Sequence, residues 1–77
     1  MTPWNHHIES DPAILFGKPV IKNTRIPVDL ILEKLAAGDS LQDILDAYSK
    51  LTKEDITACL FFAAETIKNE IFLSKAS

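Results

Sequence analysis

Gly17-Lys18-Pro19-Val20-Ile21-Lys22-Asn23-Thr24-Arg25-Ile26-Pro27 combines backbone punctuation, β-branched residues and positive charge in eleven consecutive positions. Val20, Ile21, Thr24 and Ile26 favour extended backbone, while Asn23 is the residue best able, after Gly, to take the left-handed conformation of a tight turn. Pro19 and Pro27 bound the stretch, and each holds the residue before it, Lys18 or Ile26, away from helix. The fixed φ of Pro27 also suits the first turn of a helix. Residues 17–27 are therefore read as a short basic β-ribbon that delivers the chain into a helix.

Downstream of the ribbon the apolar spacing becomes helical. Val28, Ile31, Leu32 and Leu35 fall at i, i+3, i+4 and i+7, with Asp29, Glu33 and Lys34 facing outward. Gly38 offers a left-handed helix end, and Ser40 with Asp43 makes an acidic variant of the capping box that starts a second helix. Leu41, Ile44, Leu45 and Tyr48 repeat the same spacing, and that helix ends near Ser49-Lys50. Thr52 and Asp55 form the next cap, Leu51 can staple to Ile56, and no Gly or Pro interrupts the chain from Lys53 onward. A long third helix is expected from Lys53 to about Phe72, with Ile56, Cys59, Leu60, Ala63, Ile67 and Ile71 on its core face. Phe61 and Phe72 lie roughly 140 to 160° from Ile56 at about 100° per residue, and Phe62 falls on the far flank. Phe61, Phe62 and Phe72 are thus candidates for a protein interface, with Phe62 alternatively wrapping onto the N-terminal segment.

Upstream, residues 1–16 show no periodicity and are read as an extended lead-in that can pack Trp4 or Ile8 on the domain. The expected architecture is a single mainly α domain: lead-in 1–16, ribbon 17–27, and a bundle of three helices over 28–73. A chain of 77 residues buries only about 60% of its unfolded surface, so a partner subunit would help it. Hydrophobic content of 47% and charged content of 25% suit an ordered globular domain. No stretch approaches the roughly 20 apolar residues of a membrane span and no signal-peptide pattern is present, so a cytoplasmic protein without a membrane partner is expected. A single cysteine cannot form an internal disulfide.

The net charge of −3 conceals an asymmetry, because residues 12–28 carry three positive and no negative side chains. Nucleic-acid contact, if made, would be local to that segment and to a few other lysines, with a shallow salt dependence. The two short inter-helix connections match a homeodomain-like helix-turn-helix, in which helix 41–48 supports, the helix from Lys53 recognises, and the ribbon parallels a minor-groove arm. Lys18, Lys22, Arg25, Lys50 and Lys53 are accordingly the candidate DNA-binding residues. The bland alternative is a solvated hairpin in which Arg25 pairs with Asp29 or Glu33, since a guanidinium suits carboxylate as well as phosphate. Glu54 and Asp55 complement the helix dipole but would repel phosphate, which weakens base reading by the third helix.

Ile8, Asp11-Pro12, Gly17-Lys18-Pro19-Val20, Thr24-Arg25-Ile26-Pro27, Gly38, Ile44-Leu45, Tyr48 and Leu51-Thr52-Lys53-Glu54-Asp55-Ile56 together resemble the family known as domain of unknown function 433. The resemblance spans about residues 8–66. It implies a small, mainly helical fold with an N-terminal β-ribbon, often dimeric, and a role as an antitoxin in type II toxin–antitoxin pairs, whose partner is a PIN-like ribonuclease. The family commonly has Gly before its Thr-Arg pair and Pro after its Tyr, where this chain has Asn23 and Ser49. Asn23 keeps the turn feasible because Asn tolerates positive φ.

Catalysis is not expected. His6 and His7 are adjacent, lack a His-x-x-x-His or Cys-pair context, and read as part of a polar lead-in rather than as metal ligands. Cys59 falls on the expected core face, where a thiol acts as a small hydrophobe. No cofactor is implied. The expected function is an antitoxin-like protein that neutralises a ribonuclease toxin as a homodimer and represses its own operon by DNA binding. Two alternatives stand beside it, a stand-alone helix-turn-helix regulator and a purely structural interaction module.

Overall fold

The structure, a computed structural model, describes residues 4–69. It is mostly helical, with three helices and a short two-stranded antiparallel sheet at the N-terminus. Strand β1, Ile8–Glu9, pairs with strand β2, Val20–Ile21, in the register Ile8 with Ile21 and Glu9 with Val20. On its other side β2 meets the returning chain, where Val20 bridges Pro27 and the Ile21 N–H donates to the Ile26 carbonyl at 3.0 Å. The ribbon pairs within one chain. The lead-in is not simply extended, because Trp4–His6 forms one 3-10 turn and Leu15–Gly17 another on either side of β1. For the first turn the physical reason is burial: the buried Ile8 and the partly buried Trp4 join the core, and apolar surface left in an extended arm would stay wet.

The turn at the ribbon tip is locked by side-chain chemistry. Asn23 takes φ 64°. The Thr24 hydroxyl donates to the Ile21 carbonyl at 2.6 Å and accepts the Ile26 N–H at 3.0 Å. It thereby satisfies groups that a two-residue strand cannot reach.

Helix α1, Val28–Ala36, is anchored to the ribbon by the Val28 N–H donating to the Pro19 carbonyl at 3.0 Å. Pro27 stands one position before the helix, at its N-cap, rather than inside the first turn. At the other end Gly38 has φ 102°, and the Asp39 N–H reaches the Lys34 carbonyl at 3.0 Å, which closes the helix in a Schellman arrangement. Helix α2, Leu41–Ala47, opens with the expected box: the Ser40 N–H donates to Asp43 Oδ2 at 2.9 Å and the Asp43 N–H to Ser40 Oγ at 3.0 Å. The Ser40 N–H first, and its hydroxyl second, hold the Asp43 carboxyl below the usual carboxylate range. Helix α3, described over Lys53–Asn69, opens likewise, with the Thr52 N–H donating to Asp55 Oδ2 at 3.0 Å and the Asp55 N–H to Thr52 Oγ1 at 3.2 Å.

The core joins all five elements through Ile8, Val20, Ile21, Val28, Ile31, Ile44, Leu51, Ile56, Ala58 and Cys59. The expected core face of α3 needs correction, because Leu60 is 51% and Ile67 60% exposed. At 17 residues α3 is about 25 Å long, far longer than the nine-residue α1 and seven-residue α2 that flank it. Only its first turns meet the bundle. Further along, Phe62 packs edge-on against Trp4, with ring centroids 4.9 Å apart and an interplanar angle of 74°. That contact rotates the covered arc towards Ala58 and Phe62 and turns Leu60 and Ile67 out.

Candidate functional site

The ribbon turn and the connection between α2 and α3 face each other across two adjoining concavities of about 480 and 520 Å³. Asn23, Thr24 and Lys50 line both. Arg25 lines the first beside Glu9 and Ile14, and Lys22 lines the second beside His6, His7 and Asp55. Of the five cations singled out in the sequence, the structure thus brings three together: Lys22, Arg25 and Lys50. Lys18 is drawn away to Asp29, with Nζ 2.9 Å from Oδ2 and both side chains about half exposed. Asp29 was one of the two acids open to Arg25, and it is taken by Lys18 instead. Lys53 is exposed in the first turn of α3 and lines neither concavity.

The two carboxylates at these walls differ in how firmly they are held. Glu9 Oε2 accepts the Asn23 N–H at 3.5 Å. Asp55 uses Oδ2 on its own helix cap and Oδ1 on His7, whose Nδ1 lies 2.8 Å away. An ionised carboxylate has no proton to give, so the imidazole N–H is the donor. Among the described residues no carboxylate lies within ion-pair distance of Lys22, Arg25 or Lys50. Three cations against two carboxylates leave the walls net positive in a chain whose total charge is −3.

Cys59 is fully buried, and burial first, with the Asp55 charge second, pushes its thiol up to about 11, so it stays protonated at neutral pH. Among the described residues no group of three or more His, Cys, Asp or Glu side chains is placed to hold a metal ion.

A second surface is apolar. Leu15, Phe16 and Gly17 take φ values of 49°, 57° and 84° in succession, and the side chain of Phe16 is wholly exposed. Left-handed backbone costs a residue with a Cβ about 1–2 kcal/mol. The turn is held from within by the Gly17 N–H donating to the Ile14 carbonyl at 3.0 Å, the Lys18 N–H to the Leu15 carbonyl at 3.1 Å, and the Ser10 hydroxyl to the Gly17 carbonyl. Leu60 and Ile67 add an exposed apolar stripe on α3. Of the interface residues expected from sequence, Phe61 and Phe62 are half-buried, Phe62 against Trp4, and Phe72 lies outside the described residues. Phe16, His7 and Thr24 carry more than their sequence context suggested. The available signal for Phe16 was a large apolar side chain directly before Gly17 and outside any periodic run.

Comparison with known proteins places this chain among proteins of no assigned activity. The model of a family described as protein of unknown function (DUF433) matches residues 8–63. An uncharacterised protein of Sinorhizobium fredii, y4eO, is 38% identical over 56 residues, covering 73% of this chain and 25% of that protein. The chain therefore spans a quarter of the length of that relative. A crystal structure of a DUF433 member from Anabaena variabilis superposes with a TM-score of 0.75 at 30% identity, covering 79% of this chain and 60% of that one.

Proposed function

Because the chain belongs to the DUF433 family, whose description assigns no activity, we propose from its own geometry that it is a non-catalytic, antitoxin-like binding protein. In this reading it works in the cytoplasm as a homodimer, docks on a PIN-like ribonuclease toxin to neutralise it, and represses its own operon by contacting operator DNA. The observation that carries the protein-binding half is Phe16, held wholly in solvent on a left-handed turn. Strain and an exposed aromatic are costs that a free monomer gains nothing by keeping, whereas a rigidly presented aromatic is the type of anchor that dominates protein interfaces. Leu60 and Ile67 widen the apolar area available to a partner.

The test is co-expression with the product of the neighbouring open reading frame. Co-purification and rescue of growth are expected from the native chain, and Phe16→Asp should lose both while keeping its helical circular dichroism. No complex and no rescue with the native chain would overturn the reading.

A stand-alone helix-turn-helix regulator is the second reading, favoured by the gathering of Lys22, Arg25 and Lys50. Here the ribbon and the α2–α3 connection contact phosphate, since the exposed Glu54 at the start of α3 opposes entry of that helix into a groove. Specific binding of promoter DNA by the isolated chain, without any toxin, distinguishes this reading from the first.

A further inference from the structure

The two concavities beside the ribbon are alike in one respect. Each has a cation of its own, Arg25 in the first and Lys22 in the second, and both share Lys50 across the wall formed by Asn23 and Thr24. A ligand with a single anionic group would occupy one concavity and leave the other's cation unused. A ligand with anionic groups repeated along a chain would use both. Of the carboxylates that could compete, Asp55 is held by His7 and Thr52, while Glu9 meets the Asn23 N–H only at 3.5 Å and keeps its charge, one against the two cations of the first concavity. Lys18, by contrast, has its own acid in Asp29.

We propose that Lys22, Arg25 and Lys50 form a two-compartment cradle for successive phosphates of a nucleic-acid backbone, with Asn23 at the partition. The cradle rests on the DNA-contacting half of the function proposed above and is independent of any toxin. It contains neither Lys18 nor Lys53, and it reads charge spacing rather than base edges. Arg25 supplies a planar fork able to hold one phosphate with two N–H groups, while the lysines act as point charges.

The test uses the full chain and four probes: a single-stranded 12-mer, the same sequence as a duplex, inorganic phosphate and an acidic peptide. Three neutralised phosphates give a slope of log affinity against log salt of about −2 for the single strand and about −3 for the duplex. Lys22→Ala, Arg25→Ala and Lys50→Ala should each make that slope shallower by roughly 0.7–0.9, and Lys18→Ala and Lys53→Ala should leave it unchanged. All five side chains are exposed, so the variants keep the fold, which amide spectra confirm. Backbone amides of Lys22, Asn23, Arg25 and Lys50 should shift on addition of oligonucleotide. If DNA binds but Lys18→Ala or Lys53→Ala flattens the slope equally, the cradle is wrong while the DNA-contacting reading stands. If inorganic phosphate binds as tightly as the oligonucleotides, the ligand is a free anion and the backbone assignment falls. If neither oligonucleotide binds, or the acidic peptide binds more tightly than both, the proposal is overturned.

Discussion

His7 Nδ1 stands 2.8 Å from Asp55 Oδ1, and this contact joins the residue just before β1 to the first turn of α3 across 48 positions of sequence. Asp55 thereby serves two ends, capping α3 through Oδ2 and holding the N-terminal segment through Oδ1. Both side chains are less than one quarter exposed, so the bond is shielded from water.

A double-mutant cycle of His7→Ala and Asp55→Asn, followed by urea denaturation, measures the contact. Each single substitution should cost about 1.5–3 kcal/mol, as for hydrogen bonds to charged groups. The two should be non-additive by at least about 0.5 kcal/mol. Strict additivity would show that the bond contributes nothing.

Cys59 predicts the alkaline limit of stability. Its thiol is raised from an ordinary 9.0 to about 11, chiefly by burial and secondly by the charge of Asp55. A group raised in the folded state stabilises fully below its ordinary value and loses that contribution as pH rises through the folded one. Between pH 9 and 11 the native protein should therefore lose about 3 kcal/mol relative to Cys59→Ala. Parallel pH profiles for the two proteins would refute this.

Thr24 should be irreplaceable by its isostere. Thr24→Val keeps the volume and the β-branch but removes both the bond to the Ile21 carbonyl and the bond from the Ile26 N–H. A loss of about 1–3 kcal/mol in thermal or chemical unfolding is expected, because the Ile26 N–H is left without that acceptor.

Phe16 should separate stability from function. Phe16→Gly removes a Cβ from a φ of 57° and should raise stability by about 1 kcal/mol. The same change should weaken capture of the proposed toxin at least tenfold, measured by calorimetry on the purified complex. A destabilised Phe16→Gly, or one that binds unchanged, would remove the reason for treating that turn as an anchor.

The legible parts of this fold are those fixed by neighbours in sequence. Both helix caps, at Ser40 with Asp43 and at Thr52 with Asp55, and the Gly38 stop depend on groups no more than five residues apart, so spacing alone places them. The illegible parts depend on what lies opposite. Leu60 and Ile67 have the same periodicity as Ile56, but the short α1 and α2 and the Trp4–Phe62 contact decide which arc of α3 is covered. His7 looked like polar lead-in because its partner is 48 residues away. At the candidate site the lysines and Arg25 could be named, but not sorted. Only the fold shows that Lys18 has Asp29 while Lys22, Arg25 and Lys50 share a wall.

Strand β2 lies between Glu9 on one side and Pro27 on the other, with Val20 fully enclosed. Its hydrogen-bonding groups are consequently not a template on which another chain can grow. The most β-prone sequence in this protein is quarantined at the centre of its own small sheet, which protects it from strand exchange and from edge-on polymerisation. A partner that meets this strand must then do so through side chains, and can leave without unzipping it.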